Sequence, residues 1–205
     1  MSDPRSRPLH RADLALDPLA QFRAWFQEAQ DAEIPLAEAA AVATAAPDGR
    51  PSARMLLVKR FDERGFVFHT GYESRKGREL AANPRAALLF YWHPLGRQVR
   101  IEGAVERVGR DESEAYFRTR PLGGQVGTAA SRQSEVVGSR EELDARYDEL
   151  STRYRDEPVP LPESWGGFRV VPEEYEFWQH RDNRLHDRFR YRRDRGVWVI
   201  ERLEP

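Results

Sequence analysis

Between residues 97 and 108 the chain alternates: Val99, Ile101, Gly103 and Val105 are each separated by a polar residue. A period of two puts these residues on one face of a half-buried strand. Residues 53–60 (A-R-M-L-L-V-K-R) form a second strand, which Asp62-Glu63-Arg64-Gly65 turns back into 66–70 (F-V-F-H-T). That is a hairpin signature. Small apolar residues at 40–46 precede a turn at Pro47-Asp48-Gly49-Arg50-Pro51, and further strands fit 85–92, 166–171, 174–179 and 187–202. The last folds back at Asp194-Arg195-Gly196. Seven or eight strands joined mostly by short turns predict a mainly β chain of the α+β type, an antiparallel barrel with peripheral helices. A doubly wound parallel sheet would need stricter strand–helix alternation.

The helices are inserted among these strands. Asp17-Pro18 reads as an N-cap followed by proline at the first helical position. Leu19, Phe22, Phe26 and Ala29 share a face, with Trp25 beside them, until Ile34-Pro35. Ser74 caps a short helix over 75–82, which Asn83-Pro84 ends. Asp111 with Glu114, and Ser139 with Glu142, have capping-box spacing and open helices through Phe117 and over 140–154. Residues 121–134, with three glycines, read as a loop, and Pro158, Pro160 and Pro162 as a stiff connector. Residues 1–16 are polar and aperiodic, the pattern of a mobile arm. Residues 17–205 then form a single domain.

The 205 residues carry 33 basic and 34 acidic side chains, a net charge of −1. So balanced a chain has no general field for nucleic acid or a membrane surface. It has no cysteine, which excludes disulfides, thiolate metal sites and a cysteine nucleophile. With no bilayer-length apolar run and no signal-peptide pattern, the expected location is cytoplasmic.

Any binding site must therefore be local. Arg184-Leu185-His186-Asp187-Arg188 concentrates two guanidiniums, an imidazole and a carboxylate between probable strands. It fits a site for a planar anion, or a salt-bridged surface turn. Ser74-Arg75-Lys76 opens a helix, where free N–H groups and the dipole favour phosphate. Tyr116 and Arg120, four apart, share a helix face that fits a second phosphate. Arg54 and Lys59 are an odd number apart, so one regular strand would present them on opposite faces. Gln133-Ser134 adds neutral donors. Gly123-Gly124-Gln125-Val126-Gly127-Thr128 matches neither common nucleotide loop. No G-x-S-x-G occurs, and His180, Asp182, His186 and Asp187 lack a metal-ligand spacing, so no metal is expected. Two phosphate pockets, aromatics and a cationic turn suit a flavin mononucleotide (FMN) and a phosphorylated ring substrate.

The motifs R-M-L-L-V-K (54–59), S-R-K (74–76), R-Q-V (97–99), R-Q-S (132–134), P-L-P-E-S-W-G-G-F-R-V (160–170) and E-F-W…R-L-H-D-R-F (176–189) occur in order over nearly the whole chain. In this the sequence resembles the pyridoxamine 5′-phosphate oxidase family, FMN enzymes with a split β-barrel. The resemblance implies a homodimer with FMN at the subunit interface. It implies oxidation of pyridoxamine or pyridoxine 5′-phosphate to pyridoxal 5′-phosphate, with O₂ as acceptor and H₂O₂ as product.

It also implies roles. Arg54, Arg75 and Lys76 would hold the FMN phosphate, with Thr70, Ser74 and Ser134. The strand Met55, Leu56, Leu57, Val58 and Lys59 would run along the flavin, with His69 nearby. Gln98, Gln133, Trp178 and Arg188 would contact its ring or ribityl chain. Lys59, Tyr116, Arg120 and Gly124 would form the substrate-phosphate site. Arg184, Leu185 and His186 would lie over the substrate ring, with Arg184 and His186 as the catalytic pair. Asp187 would orient neighbouring cations.

Three positions depart from the family pattern. Gly124 stands where a serine is usual, a loss of about 1 kcal/mol of binding if nothing replaces the hydroxyl. His69 stands where tyrosine is usual, and the N-terminal arm lacks a basic-aromatic segment. Gly124 leans toward a related flavin oxidase acting on another ring, such as a phenazine precursor. Arg184 and His186 lean away from a binding protein with little turnover.

Overall fold

The computed structural model describes Arg5 and residues 7–205. The first helix, α1 (Pro18–Asp31), starts where its cap dictates, with Asp17 accepting from the N–H groups of Leu19 and Ala20. It buries Leu19, Phe22, Trp25 and Ala29. There follow β1 (Ala39–Ala45), β2 (Pro51–Leu57), β3 (Arg60–Asp62), β4 (Gly65–Gly71) and α2 (Arg75–Ala82). Next come β5 (Arg85–Trp92), β6 (Arg97–Arg107), α3 (Arg110–Thr119), α4 (Leu122–Ala130) and α5 (Arg140–Arg153). The chain ends with β7 (Trp165–Gln179), β8 (Asp187–Asp194) and β9 (Val197–Leu203). The nine strands of the described residues, against the seven or eight expected, join one antiparallel sheet, as the turn pattern predicts.

The sheet order is β2-β1-β5-β6-β7-β4-β3, so β2 and β3 lie at opposite ends of the path. Only Val58 and Lys59 separate them in the chain. Val58 N–H donates to Glu38 O at 3.0 Å, toward β1, and Lys59 N–H to Val67 O at 2.9 Å, toward β4. This link curls the sheet back on itself into a split barrel. The single strand expected over 53–60 is therefore two strands with different partners. The apolar run gives no local sign of the break, because it is set by non-local pairing.

The two strands expected at 166–171 and 174–179 are one, β7. It pairs with β6 from Phe168 to Gln179, while its other edge divides between β4 (Trp165–Val170) and β8 (Glu174–Gln179). The register shifts between Glu102 and Gly103. A Cβ on Gly103 would fall 1.9 Å from Val171 O, so this bulge requires glycine. Pro172 sits opposite, where its missing N–H is tolerated.

Phe22 is the centre of the core. It is fully buried and packs edge-on against Phe61, Phe66 and Phe90 at 4.9–5.0 Å. A second cluster of Phe117, Val126, Val159, Leu161 and Trp165 lies under the α3–α5 helices.

Three further expectations change. Residues 121–134 are largely helical: Val126 and Ala130 of α4 are buried one turn apart, and the helix packs on α5. Burial of that face outweighs the glycine penalty. Gly123 also permits close approach, since a Cβ there would lie 2.9 Å from the Tyr147 hydroxyl. The N-cap of α3 is Gly109, not Asp111, and has no side-chain cap; Asp111 lies in the first turn instead. The expected mobile arm lies partly outside the described residues. From Leu9 onward it is docked, with Leu9 and Leu14 buried in the main core. Leu9 N–H donates to Asp187 Oδ2 at 3.1 Å, and Tyr191 Oη to Ala15 O at 2.8 Å.

Candidate active site

The N-terminus of α2 meets the end of β4. Ser74 caps the helix, accepting from Gly77 N–H at 3.2 Å. Lys76 is buried and donates to Thr70 Oγ1 at 2.8 Å; Thr70 in turn donates to Gln133 Oε1 at 2.8 Å. The same Gln133 oxygen accepts from Gly71 N–H at 3.0 Å. Burial, followed by the nearby Arg54 charge, lowers the Lys76 pKa from its ordinary value.

Beside this chain lies a cationic cradle. Arg54 donates to Thr44 Oγ1 at 2.6 Å and to Ser52 Oγ at 2.5 Å. Both hydroxyls donate onward to Glu79 Oε2, at 2.5 and 2.6 Å, and Arg75 Nε donates to Glu79 Oε1 at 2.9 Å. Glu79 is 6% exposed. Burial alone would raise its pKa, but the hydrogen bonds from Ser52, Thr44 and Arg75 and the Arg54 charge bring it down to about 2. Glu79, Thr44 and Ser52 were not among the residues expected from sequence. The Arg75–Glu79 spacing of four on one helix was the available signal.

A cavity of about 770 Å³ opens next to Thr70 and Ser74. Its wall brings together Leu57, Lys59, His69, Tyr116, Arg120, Gly124 and Gln133, drawn from five separate stretches of chain. Tyr116 stacks on His69 with ring centroids 4.0 Å apart. Trp165 lies nearly parallel to both rings, and Arg120 sits 5.4 Å above its face. Arg120 also donates to Thr128 Oγ1. Lys59 pairs with Glu38 at 3.1 Å. Trp165, Thr128 and Arg132 also line the cavity but were given no role, although Trp165 lies within the W-G-G-F-R motif and Arg132 within R-Q-S.

Other expected residues lie elsewhere. Arg54, Arg75 and Lys76 do not line the cavity; they form the cradle beside it, joined to it through Thr70 and Ser74. Met55 is 66% exposed, whereas Val58 is buried in the core and Leu56 packs against it. Ser134 has φ +73° in the loop after α4. Gln98, Trp178 and Arg188 form one cross-strand row on β6, β7 and β8. Arg188 Nε donates to the buried Glu176 at 2.7 Å.

The Arg184–Arg188 turn lies apart from this cavity, beside a recess of its own. Asn183 and Arg184 have φ +57° and +62°, and Leu185 is 70% exposed. The His186 ring lies 4.5 Å from Trp178, and its Nδ1 accepts from Arg181 N–H at 3.1 Å. Burial, then the neighbouring His180, Arg184 and Arg188 charges, lowers the His186 pKa. Asp187 does orient cations, accepting from Arg202 at 2.6 Å and Arg181 at 3.2 Å. A recess of about 330 Å³ is lined by Leu185, His186, Asp187 and 202–205, and shares no residue with the larger cavity. Trp165 in the cavity wall begins β7, and the turn follows its end at Gln179. Within one chain the turn and the cavity therefore have separate walls.

Residues 26–154 match the family described as pyridoxamine 5′-phosphate oxidase. Residues 165–205 match the pyridoxine 5′-phosphate oxidase C-terminal dimerisation region. A pyridoxine/pyridoxamine 5′-phosphate oxidase from Burkholderia vietnamiensis is 56% identical over 200 residues, 96% of this chain and 93% of the relative. One from Rubrobacter xylanophilus is 58% identical over 189 residues, 92% and 87% of the two chains. Among solved structures, PhzG from Burkholderia lata 383, in complex with tetrahydrophenazine-1-carboxylic acid, has a TM-score of 0.92 at 33% identity. That match covers 98% of this chain and all of PhzG. A pyridoxamine 5′-phosphate oxidase-related, FMN-binding protein from Nostoc punctiforme shares the fold, with a TM-score of 0.72 at 18% identity over 94% of this chain and all of its own. Family match, near-complete coverage and fold agree: this chain belongs to the pyridoxine/pyridoxamine 5′-phosphate oxidase family.

Proposed function

We propose that two copies of this chain bind FMN between them and oxidise pyridoxine or pyridoxamine 5′-phosphate to pyridoxal 5′-phosphate. The observation that carries this reading is the paired arrangement of cradle and cavity. Arg54, Arg75 and Lys76 surround a single carboxylate, leaving net positive charge for a phosphomonoester. The adjoining cavity, about 770 Å³, lies within the usual range of small-molecule sites and carries Lys59 and Arg120 for a second phosphate. The donor set therefore fits FMN beside a phosphorylated ring.

When bound, FMN would supply the two-electron acceptor for oxidation at the substrate's 4′ carbon, with O₂ as the final acceptor and H₂O₂ as the product. The chain's residues supply geometry and charge. Arg54, Arg75 and Lys76 hold the cofactor phosphate, and the Lys76–Thr70–Gln133 chain of hydrogen bonds ties that end to the cavity wall. Lys59, Tyr116 and Arg120 fix the substrate phosphate, and so the distance of its ring from the flavin. Arg184 and His186 cover the substrate ring. Because turn and cavity lie at opposite ends of β7, the turn that closes each cavity comes from the second copy. The match of 165–205 to a dimerisation region supports this. His186 Nδ1 already accepts from Arg181 N–H, so the neutral imidazole presents its Nε2–H as a hydrogen-bond donor to the substrate ring, and its lowered pKa favours that neutral form.

A second reading, oxidation of a phenazine-like ring, draws on the likeness to PhzG and on Gly124. The higher identity to pyridoxine/pyridoxamine 5′-phosphate oxidases and the two cations in the cavity favour the phosphorylated substrate. The test is direct: load the purified protein with FMN, supply pyridoxine 5′-phosphate, and measure peroxide and aldehyde. Equal formation of both is expected. A yellow protein inert toward both B6 phosphates would overturn the substrate assignment, and failure to take up FMN would overturn the flavin reading.

A further inference from the structure

We propose that Glu79 is a positioning residue that builds the phosphate cradle before any anion arrives, by holding Arg54 and Arg75 in fixed orientations. This rests on the FMN reading and extends it to a residue that would not touch the ligand.

Each cradle hydroxyl has one proton. Those of Thr44 and Ser52 both go to Glu79 Oε2, which leaves their lone pairs directed at Arg54. The two N–H groups of Arg54 that donate to them, at 2.6 and 2.5 Å, are thus fixed by a fork of two relays ending on one carboxylate oxygen. The other carboxylate oxygen takes Arg75 Nε at 2.9 Å. Without Glu79, both hydroxyls lose their acceptor and become free to rotate. Arg75, whose side chain is 59% exposed, would sample many rotamers. Preorganised donors lose less entropy on binding, so the carboxylate favours the anion even though its own charge repels it.

The charges match as well. Arg54, Arg75 and Lys76 against Glu79 leave a net +2, equal and opposite to a phosphomonoester dianion. With a pKa of about 2, Glu79 stays ionised throughout the physiological range, so its own share of the cradle's charge does not change with pH. The carboxylate is 6% exposed and anchored on α2, while Thr44 and Ser52 come from paired positions on β1 and β2. The device therefore also fixes α2 against the sheet.

The test compares Glu79→Gln with the unaltered chain for equilibrium binding of FMN and of riboflavin, which lacks the phosphate. Glutamine keeps the shape but cannot accept all the donors. The expected result is roughly tenfold weaker FMN binding, with riboflavin affinity within about twofold. Thr44→Val, which removes one relay without changing charge, should shift the FMN-to-riboflavin ratio in the same direction by a smaller factor. This second variant keeps the test decisive if Glu79→Gln misfolds. FMN binding that is unchanged or tighter in a folded Glu79→Gln protein overturns the proposal, as does equal weakening for both ligands. If the unaltered chain binds FMN no better than riboflavin, the FMN-phosphate reading itself fails.

Discussion

His69 and Tyr116 stack with ring centroids 4.0 Å apart and planes 21° from parallel. Among the described residues neither nitrogen of His69 has a hydrogen-bond partner, and both are buried. Burial pushes its pKa down to about 4; Glu112 opposes this and Arg120 reinforces it. His69 is therefore a neutral ring that backs Tyr116 in the cavity wall.

A pH dependence follows. The folded-state pKa lies below the unfolded value of 6.5, so between about pH 6.5 and 4 the unfolded chain binds the extra proton. Stability is full above that window and falls as pH drops through it, by at most about 3 kcal/mol from this group. His69→Phe keeps the stack and removes the titration. Denaturant unfolding at pH 7 and 4.5 should show the variant losing less stability than the unaltered protein; equal losses would contradict the assignment.

Gly124 lies beside Arg120: a Cβ there would be 3.4 Å from Nη2, an ordinary contact. Gly124→Ser should therefore fit, add a donor to the phosphate site and favour α4. KM for pyridoxine 5′-phosphate should fall by about fivefold, equivalent to roughly 1 kcal/mol. An unchanged KM would mean that the substrate phosphate sits elsewhere.

Arg75 and Arg184 should give separable defects. Arg75→Ala should weaken FMN binding by about tenfold, through loss of a charge-assisted contact. Arg184→Ala should retain FMN but lower kcat/KM by at least about tenfold. Flavin titration and steady-state kinetics check both, and exchanged phenotypes would refute the site map.

Phe22 is fully buried among aromatic rings in the main core. Phe22→Ala should cost about 3–5 kcal/mol of stability. Urea denaturation measures this, and a loss below about 1 kcal/mol would contradict the packing described.

Much of the fold was legible because its signals are local. Asp17-Pro18 marks the start of α1, Asp62–Gly65 turns β3 into β4, and Ser74 caps α2. The break at Val58-Lys59 was not legible, since it depends on hydrogen bonds to Glu38 and Val67, remote parts of the sheet. Helix α4 was hidden by its glycines, because its stability comes from packing against α5 and Trp165's cluster. Likewise, Lys59 and Gln133 were singled out within motifs and Tyr116 and Arg120 by their spacing of four on one helix, and all four line one cavity. Glu79, Thr44 and Ser52 were not, since three separate elements assemble them. The separation of Arg184 from that cavity emerged only when β7 proved to be one strand.

That separation sets the most direct test. Arg120→Ala damages the cavity of its own chain, and Arg184→Ala the turn. If each site combines one copy's cavity with the other copy's turn, a mixed dimer has one site with both lesions and one with none. Co-refolding equal amounts of the two inactive variants should then restore about a quarter of the unaltered activity, as random pairing of two-fold dimers requires. A mixture as inactive as its parents, with mixed dimers demonstrably present, would contradict a site shared between two copies.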